Sequence, residues 1–267
     1  MSLPTTEVVS AGPHIDARTP LAAAAFLLDG QSAAIEAVRS AMPALSSGAQ
    51  RMASAIRAGH GIHYAAAGSS GLMGLADASE LRGTFGIPSG KIHIHMAGGV
   101  PVDAHMPGDT EDDKTAVTQI AETISKGDVV IVLTASGTTP FALEVAHAAQ
   151  QKGAIVIGIA NNPHTPLLAM ADEPVCIPTP SEVIAGSTRL GAGTAQKASL
   201  NLMSTLMGVA LGHVYRGEMV NVIADNAKLV RRAVGMVTRI AGVSADAAEA
   251  AIEQTGGQVK PAILVAA

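Results

Sequence analysis

Five short apolar runs alternate with segments of helical periodicity through the middle of the chain, and this alternation limits the possible folds more than any other feature. The predicted strands are Ile62–Ala67, Ile92–Met96, Val129–Thr134, Ile155–Ala160 and Val175–Ile177. Strands that alternate with helices form a parallel sheet covered by helices on both faces. The sequence therefore predicts a three-layer α/β/α fold around a mainly parallel five-stranded sheet.

Helical patterns flank this central region on both sides. Apolar residues recur at helical spacing from Pro20 to Gly59, which predicts two or three helices before the first strand, and the pattern is helical again after Gly193. The predicted divisions are an N-terminal arm at 1–19, a main domain at 20–238 that includes the N-terminal helices, and a small C-terminal helical region at 239–267.

Charge and composition exclude several functional classes. The net charge of −5 and the pI near 6.0 provide no basic patch for nucleic acid. The single cysteine, Cys176, has no partner for a disulfide within the chain. No run reaches the roughly 20 uninterrupted apolar residues of a membrane span, and residues 1–12 lack the pattern of a signal peptide. We therefore expect a cytoplasmic protein without membrane or nucleic-acid partners.

Two hydroxyl-rich turns follow predicted strands and open helices. In such sheets ligands bind beyond the carboxyl ends of the strands, where small residues and free N–H groups favour a phosphate. Either turn alone is more typical of an ordinary helix cap, but two at one sheet edge favour a binding site. The candidate residues are Ser69, Ser70 and Gly71 after the first strand, and Ser136, Gly137, Thr138 and Thr139 after the third.

A third polar cluster spans Gly186 to Lys197, where a glycine-rich loop enters a long predicted helix. Its hydroxyls and two cations suit closure over an anionic sugar, and the same residues also suit a simple helix cap. We take Ser187, Arg189 and Lys197 as candidate ligand-binding residues.

Two carboxylates are candidates for acid and base chemistry. Glu80 falls near the end of a predicted helix, at the negative end of the helix dipole, a position that suits a general acid. Glu111 is followed by two acidic residues, and their repulsion raises the pKa toward that of a base active near neutral pH. Each alone is more typical of a solvated or capping carboxylate. His93 and His95 share a strand face, with His105 or Asp103 as a third ligand, but this pattern favours no metal.

At these residues the chain resembles the N-acetylmuramic acid 6-phosphate etherases of the sugar isomerase (SIS) domain superfamily. The likeness covers nearly the whole chain, including Thr6-Glu7 in the arm. The segments that carry it are Ser136 to Pro140, Asp77 to Glu80, Thr84 to Gly86, Ala97 to Gly99, Glu111-Asp112, Gly186 to Arg189, Ala192 to Lys197 and Asn226 to Leu229.

The resemblance implies a SIS-type fold, a homodimer, and a sugar-phosphate substrate with no metal or organic cofactor. It implies that Glu80 is the acid assisting departure of the lactyl ether oxygen and that Glu111 is the base removing the C2 proton. The chain departs from the family pattern at Leu72, Thr138 and Gly191, where basic residues are usual, and adds Arg82. An aldose–ketose isomerase and a non-catalytic sugar-phosphate sensor remain alternatives.

Overall fold

The core of the fold is a five-stranded parallel sheet with strand order β2-β1-β3-β4-β5. The computed structural model describes residues 5–9, 14–104, 106, 110, 115–222, 224 and 227–267. The sheet confirms the predicted α/β class, and each predicted strand is present. The strands are β1 (Ile62–Ala66), β2 (Ile92–Met96), β3 (Val129–Thr134), β4 (Ile155–Ala160) and β5 (Glu173–Cys176).

Ten α-helices occur in the described residues, and those between consecutive strands of the sheet provide the parallel crossovers. The N-terminal helical region consists of α1 and α2 joined by a 3₁₀ turn at Val38–Ala41. The helices are α1 (Pro20–Ala37), α2 (Met42–Arg57), α3 (Gly68–Phe85), α4 (Thr115–Thr123), α5 (Pro140–Gln151), α6 (Pro166–Met170), α7 (Gly191–Ala210), α8 (Ala227–Ala241), α9 (Ala245–Gln254) and α10 (Val259–Ala266).

Both faces of the sheet are covered, which gives the predicted three layers. On one face Val130 and Val132 pack with Phe141 and other apolar residues of α5, next to Leu167 of α6. On the other face Ile157 lies beside Gly48 of α2, and Gly48 also meets Met203 of α7. A Cβ added at Gly48 would lie 2.9 Å from Met203 Sδ, so the small residue allows these two helices to approach closely. The aromatic-poor composition is thus used for tight helix packing.

The chain forms two compact units, Met1–Ala78 with Gly90–Leu206, and Ser79–Ser89 with Met207–Ala267. The first contains the sheet. The second has its own apolar core, in which Met236 and Val237 of α8 pack with Ile252 of α9 and Val259 of α10. Ser244, a residue type favoured at helix N-caps, caps α9, since its hydroxyl accepts from Ala247 N at 3.3 Å.

The structure also corrects one predicted element. The sequence pattern predicts a helix from Ala195 to Tyr215, but α7 ends at Ala210 and a short antiparallel hairpin follows, with β6 at Val214–Tyr215 and β7 at Glu218–Met219. The hairpin turn uses Arg216 and Gly217, both at positive φ. This is the geometry that two-residue hairpin turns require, and glycine supplies it readily.

One helical segment of the described chain, Pro20–Arg57, is long and apolar enough to cross a membrane by length and composition only. It is interrupted by Asp29 and Gln31, in agreement with the absence of an uninterrupted apolar run. Its most apolar window is only 11% buried. The segment therefore presents an apolar surface outside the core of the sheet.

A cluster of histidines lies on neighbouring positions of the first two strands. The rings of His63, His93 and His95 stack, and His63 Nδ1 lies 2.9 Å from His95 Nε2. On its other side His63 Nε2 lies 3.3 Å from Asp128, a carboxylate that also accepts from Gly61 N. Burial, followed by repulsion from neighbouring imidazoles, lowers the pKa of both His63 and His95 to about 4. Both rings are therefore neutral at physiological pH.

These depressed pKa values predict acid sensitivity of the fold. An unfolded histidine takes up its proton near pH 6.5, whereas His63 and His95 do so only near pH 4, so stability is lost as pH falls between these values. Each should cost about 2 kcal/mol between pH 7.5 and pH 5. Urea unfolding at several pH values measures this slope. His95→Gln should flatten it, and replacement of the exposed His147 should not; equal slopes for wild type and His95→Gln would contradict the assignment.

Candidate functional site

A cavity of about 230 Å³ opens beyond the carboxyl ends of β1 and β3. These two strands are neighbours in the sheet, but the chain leaves β1 toward β2 on one side and later adds β3 on the other. Ligands of open α/β sheets bind at such a topological switch point. The cavity is lined mainly by polar groups, from Thr6, Glu7, Ala67, Ser69, Ser70, Thr134, Ala135, Ser136, Thr139, Gly186 and Thr188.

The turn after β1 supplies the first wall. Helix α3 begins at Gly68, before the start after Gly71 that the sequence suggests, so Ser69 and Ser70 lie in its first turn. The first backbone N–H groups of a helix have no partner within the helix, and the dipole makes this end favourable for anions. Hydroxyls and N–H groups therefore face the same cavity.

The turn after β3 supplies the second wall through a connected set of hydroxyls. Thr134 Oγ1 lies 2.7 Å from Thr139 Oγ1 and 3.3 Å from Ser136 Oγ. Thr138 donates to Ser136 Oγ from its hydroxyl at 3.0 Å and from its backbone N–H at 3.2 Å. Pro140 is the first residue of α5, and Thr139 occupies the N-cap position without a side-chain capping bond. These bonds hold the hydroxyls of Ser136 and Thr139 at the cavity.

A third wall comes from segments remote in sequence. Gly186 and Thr188 belong to the polar loop before α7, and Thr6 and Glu7 belong to a 3₁₀ turn at Thr5–Glu7. Gly186 N donates to Thr6 O at 2.9 Å, which ties the N-terminal turn to this loop. Glu7 is the one charged side chain among the described residues that line the cavity.

The structure thus brings four of the ten predicted phosphate- and sugar-binding residues together at the cavity: Ser69, Ser70, Ser136 and Thr139. The other six do not line it in this structure. Gly71 is buried against Met96, and Gly137 shapes its turn at φ +75. Thr138 is exposed and bonds to Ser136. Ser187 and Arg189 flank the lining residue Thr188, and Lys197 lies within α7.

Lys197 takes part in a polar network that joins α7 to α3 and β1. Its Nζ donates to Asn201 Oδ1 at 2.7 Å and lies 3.8 Å from Asp77 Oδ1. Asp77 is buried and also accepts from Tyr64 at 2.8 Å and from Ser204 at 3.0 Å. Burial, with the adjacent Asp77 carboxylate, raises the pKa of Tyr64 well above its ordinary value, so the phenol stays a donor. The network fixes Lys197 relative to α3.

Of the two candidate catalytic carboxylates, the structure describes Glu80 but not Glu111. Glu80 lies on α3, within the second unit, and its side chain is exposed. Glu111 lies outside the described residues, so its role, like that of Glu80, stays a prediction.

The histidines considered as metal ligands form ring-stacking contacts. His93 and His95 do share a face of β2, but they stack with His63, and His105 lies outside the described residues. Within the described part of the chain no group of three or more His, Cys, Asp or Glu side chains could hold a metal ion.

Sequence reasoning missed Thr134 and Thr188 as lining residues and did not assign Thr6 or Glu7 to a site. Thr188 stands next to the predicted Ser187, and Thr134 ends the strand before the second turn. These positions follow from the same hydroxyl pattern. Thr6 and Glu7 lack such a signal, because nothing local indicates which loop the arm contacts.

Comparison with known proteins identifies the chain. The SIS domain family model matches residues 104–207. The N-acetylmuramic acid 6-phosphate etherase of Deinococcus radiodurans is 41% identical over 253 residues, which cover 94% of this chain and 83% of that protein. This chain belongs to the N-acetylmuramic acid 6-phosphate etherase family. The etherase of Burkholderia lata is 42% identical, covering 90% of this chain and 79% of its own length.

Solved structures share the fold of this etherase family member. A phosphoheptose isomerase from Francisella tularensis aligns with a TM-score of 0.52 at 16% identity, covering 72% of this chain and 100% of that chain. An Escherichia coli protein aligns with a TM-score of 0.56 at 18% identity, covering 74% of this chain and 94% of that chain. The predicted family and fold are both confirmed.

Proposed function

We propose that this protein is a phosphosugar lyase that cleaves the D-lactyl ether of N-acetylmuramic acid 6-phosphate to N-acetylglucosamine 6-phosphate and D-lactate. The observation that carries the proposal is the 41% identity to an etherase of that name over 94% of the chain. The cavity supports it, because it opens at the switch point of the sheet and is lined by hydroxyls and a helix N-terminus.

The phosphate of such a substrate suits the first two walls. Ser69 and Ser70 lie in the first turn of α3, and Thr139 occupies the N-cap position of α5, so two helix N-termini and several hydroxyl donors lie at the same cavity. No cationic side chain is among the described residues that line the cavity. Recognition of the dianion would therefore depend on hydroxyl and backbone N–H donors, which is the usual way a helix N-terminus holds phosphate.

The reaction assigned to Glu80 and Glu111 is an elimination followed by hydration. In the open-chain sugar the C1 aldehyde acidifies C2–H, and Glu111 takes this proton. The C3–O bond then breaks, and Glu80 gives its proton to the departing lactate oxygen. Water adds to C3 of the resulting double bond while a proton returns to C2, so that N-acetylglucosamine 6-phosphate is formed. General acid and base catalysis of this kind contributes about 10²- to 10⁴-fold per group.

Incubation of the purified protein with N-acetylmuramic acid 6-phosphate tests this function. We expect D-lactate and N-acetylglucosamine 6-phosphate in equal amounts by mass spectrometry, without added metal or cofactor. Exchange of the C2 proton on a simpler hexosamine phosphate, with no lactate from this substrate, would indicate the isomerase alternative. Thermal stabilisation by sugar phosphates with no turnover would indicate a sensor; about 2.7 kcal/mol is gained when the ligand is at 100 times its Kd.

We also propose that the protein forms a homodimer. Four exposed apolar residues of α1 and α2 recur every seven positions: Leu21, Leu28, Ile35 and Met42. A seven-residue repeat places them on one side of the helical segment, as in surfaces that pack against another helix.

The proposed location is the cytoplasm. The free Cys176 supports it, because unpaired thiols are usual in a reducing compartment.

We retain the domain division proposed from the sequence, with an arm at 1–19, a SIS domain with its N-terminal helices at 20–238 and a helical region at 239–267. The apolar core shared by α8, α9 and α10 shows that these helices pack with one another, and the proposed boundary after residue 238 lies inside α8.

A further inference from the structure

The N-terminal turn at Thr5–Glu7 is fastened to the loops that surround the cavity. Asn162 Oδ1 accepts from both the backbone N–H and the hydroxyl of Thr5, each at 2.8 Å. Asn162 Nδ2 in turn donates to Ala135 O at 2.9 Å, in the turn after β3. With the bond from Gly186 N to Thr6 O, the turn is bonded directly to two separate segments, and Asn162 links it to a third, the turn after β3. It is a fixed part of the cavity wall.

The hydroxyl of Thr6 is buried at this wall and lacks a partner. Thr6 is 0% exposed and lines the cavity, and its Oγ1 has no hydrogen-bond partner among the described residues. A buried hydroxyl without a partner costs free energy, so such groups are normally satisfied by protein, water or ligand. The hydrogen-bonding capacity of Thr6 Oγ1 is therefore open to a water molecule or to a polar group of a ligand at this side of the cavity.

Glu7 adds a carboxylate to the same wall. An ionised carboxylate accepts hydrogen bonds and repels anions, so it is unsuited to phosphate and suited to hydroxyl or amide N–H donors. Gly186, at φ +76, leaves room for it, since a Cβ there would lie 3.1 Å from Glu7 Oε2. The cavity is therefore polarised, with helix N-termini and hydroxyls on two walls and the carboxylate on the third.

We propose that Thr6 and Glu7 bind the sugar portion of the ligand and so determine which sugar phosphates the site accepts, an inference that rests on the proposed sugar-phosphate function. Thr6 Oγ1 makes a hydrogen bond to a polar group of the sugar. Glu7 accepts from a sugar hydroxyl or from the amide N–H of an N-acetyl group. The phosphate lies at the turns after β1 and β3, away from the carboxylate.

Calorimetric titration of the full chain with two probes, N-acetylglucosamine 6-phosphate and inorganic phosphate, tests the assignment. Glu7→Gln and Thr6→Val should each weaken binding of the sugar phosphate by about 10-fold or more, the range for a lost hydrogen bond to a polar or charged group. Binding of inorganic phosphate should change less than about twofold. Thr6→Ser, which restores the hydroxyl, should recover most of the affinity.

Glu122→Gln, at an exposed carboxylate on α4, is the matched control and should bind both probes as wild type does. Thermal unfolding of each variant checks that it is folded. Equal weakening for both probes, or none for either, would overturn the inference. Failure of the proposed function is distinguishable: the wild type would then release no lactate while the two probes still separate the variants.

Discussion

Replacement of Glu80 or Glu111 by Gln is expected to lower the rate of lactate release from N-acetylmuramic acid 6-phosphate by roughly 10²- to 10⁴-fold each. The amide is nearly isosteric with the carboxyl group but neither gives nor takes the required proton. KM should change little for both variants, because neither residue is assigned to ground-state binding. Initial rates over a range of substrate concentrations provide the two constants.

The two roles can be separated by proton exchange. In D₂O, Glu80→Gln should still exchange the C2 proton of the substrate, because Glu111 continues to remove it, while the C3–O bond stays intact. Glu111→Gln should abolish exchange and lactate release together. If Glu111→Gln still exchanged the C2 proton and Glu80→Gln did not, the acid and base assignments would be exchanged. Full activity of the double variant would contradict the mechanism.

Glu122→Gln serves again as the control, since it removes one exposed carboxylate from α4 and changes the net charge equally. Its rate should match that of the wild type. A comparable loss in this variant would mean that net charge, and not proton transfer, accounts for the effect.

The parts of the site that the sequence reveals are those built from local pattern. The turns at Ser69 and Ser136 follow predicted strands, and parallel strands bring their carboxyl ends to one edge. Small residues and hydroxyls in such turns already indicate an anion. The βαβα alternation likewise predicts the strands, because buried parallel strands have continuous apolar sequences.

The third wall was not predictable in the same way. Thr5 bonds to Asn162, 157 positions away, and no local periodicity specifies that pairing. Lys197 stays a predicted ligand-binding residue, and its position 3.8 Å from the buried Asp77 is likewise a long-range contact that local pattern does not specify. The α7 boundary was misplaced because helical periodicity continues past Ala210 into residues that form a hairpin.

The second large effect is expected at Gly137, where the backbone of the β3 turn requires glycine for two reasons. Its φ is +75, a region in which alanine is destabilised by about 1–2 kcal/mol. A Cβ there would also lie 2.4 Å from both Cβ and Oγ1 of Thr165. Thr165 caps α6 by accepting from Leu168 N, so it cannot move away without loss. Overpacking of this kind costs a further 1–3 kcal/mol, roughly.

Gly137→Ala should therefore lower the free energy of unfolding by about 2–5 kcal/mol, measured by urea denaturation. Gly59→Ala is the matched control, because Gly59 has φ +81 but nothing within 4 Å of an added Cβ. It should lose only the backbone contribution. The difference between the two losses of unfolding free energy measures the cost of the overlap with Thr165. Equal losses in the two variants would show that the turn accommodates the added Cβ without strain. A change in phosphate binding is also expected, because Ser136 and Thr139 lie in the same turn as Gly137. Folded Gly137→Ala protein should bind inorganic phosphate more weakly than folded Gly59→Ala protein does. Stability and ligand binding at this turn thus depend on the same absence of a side chain.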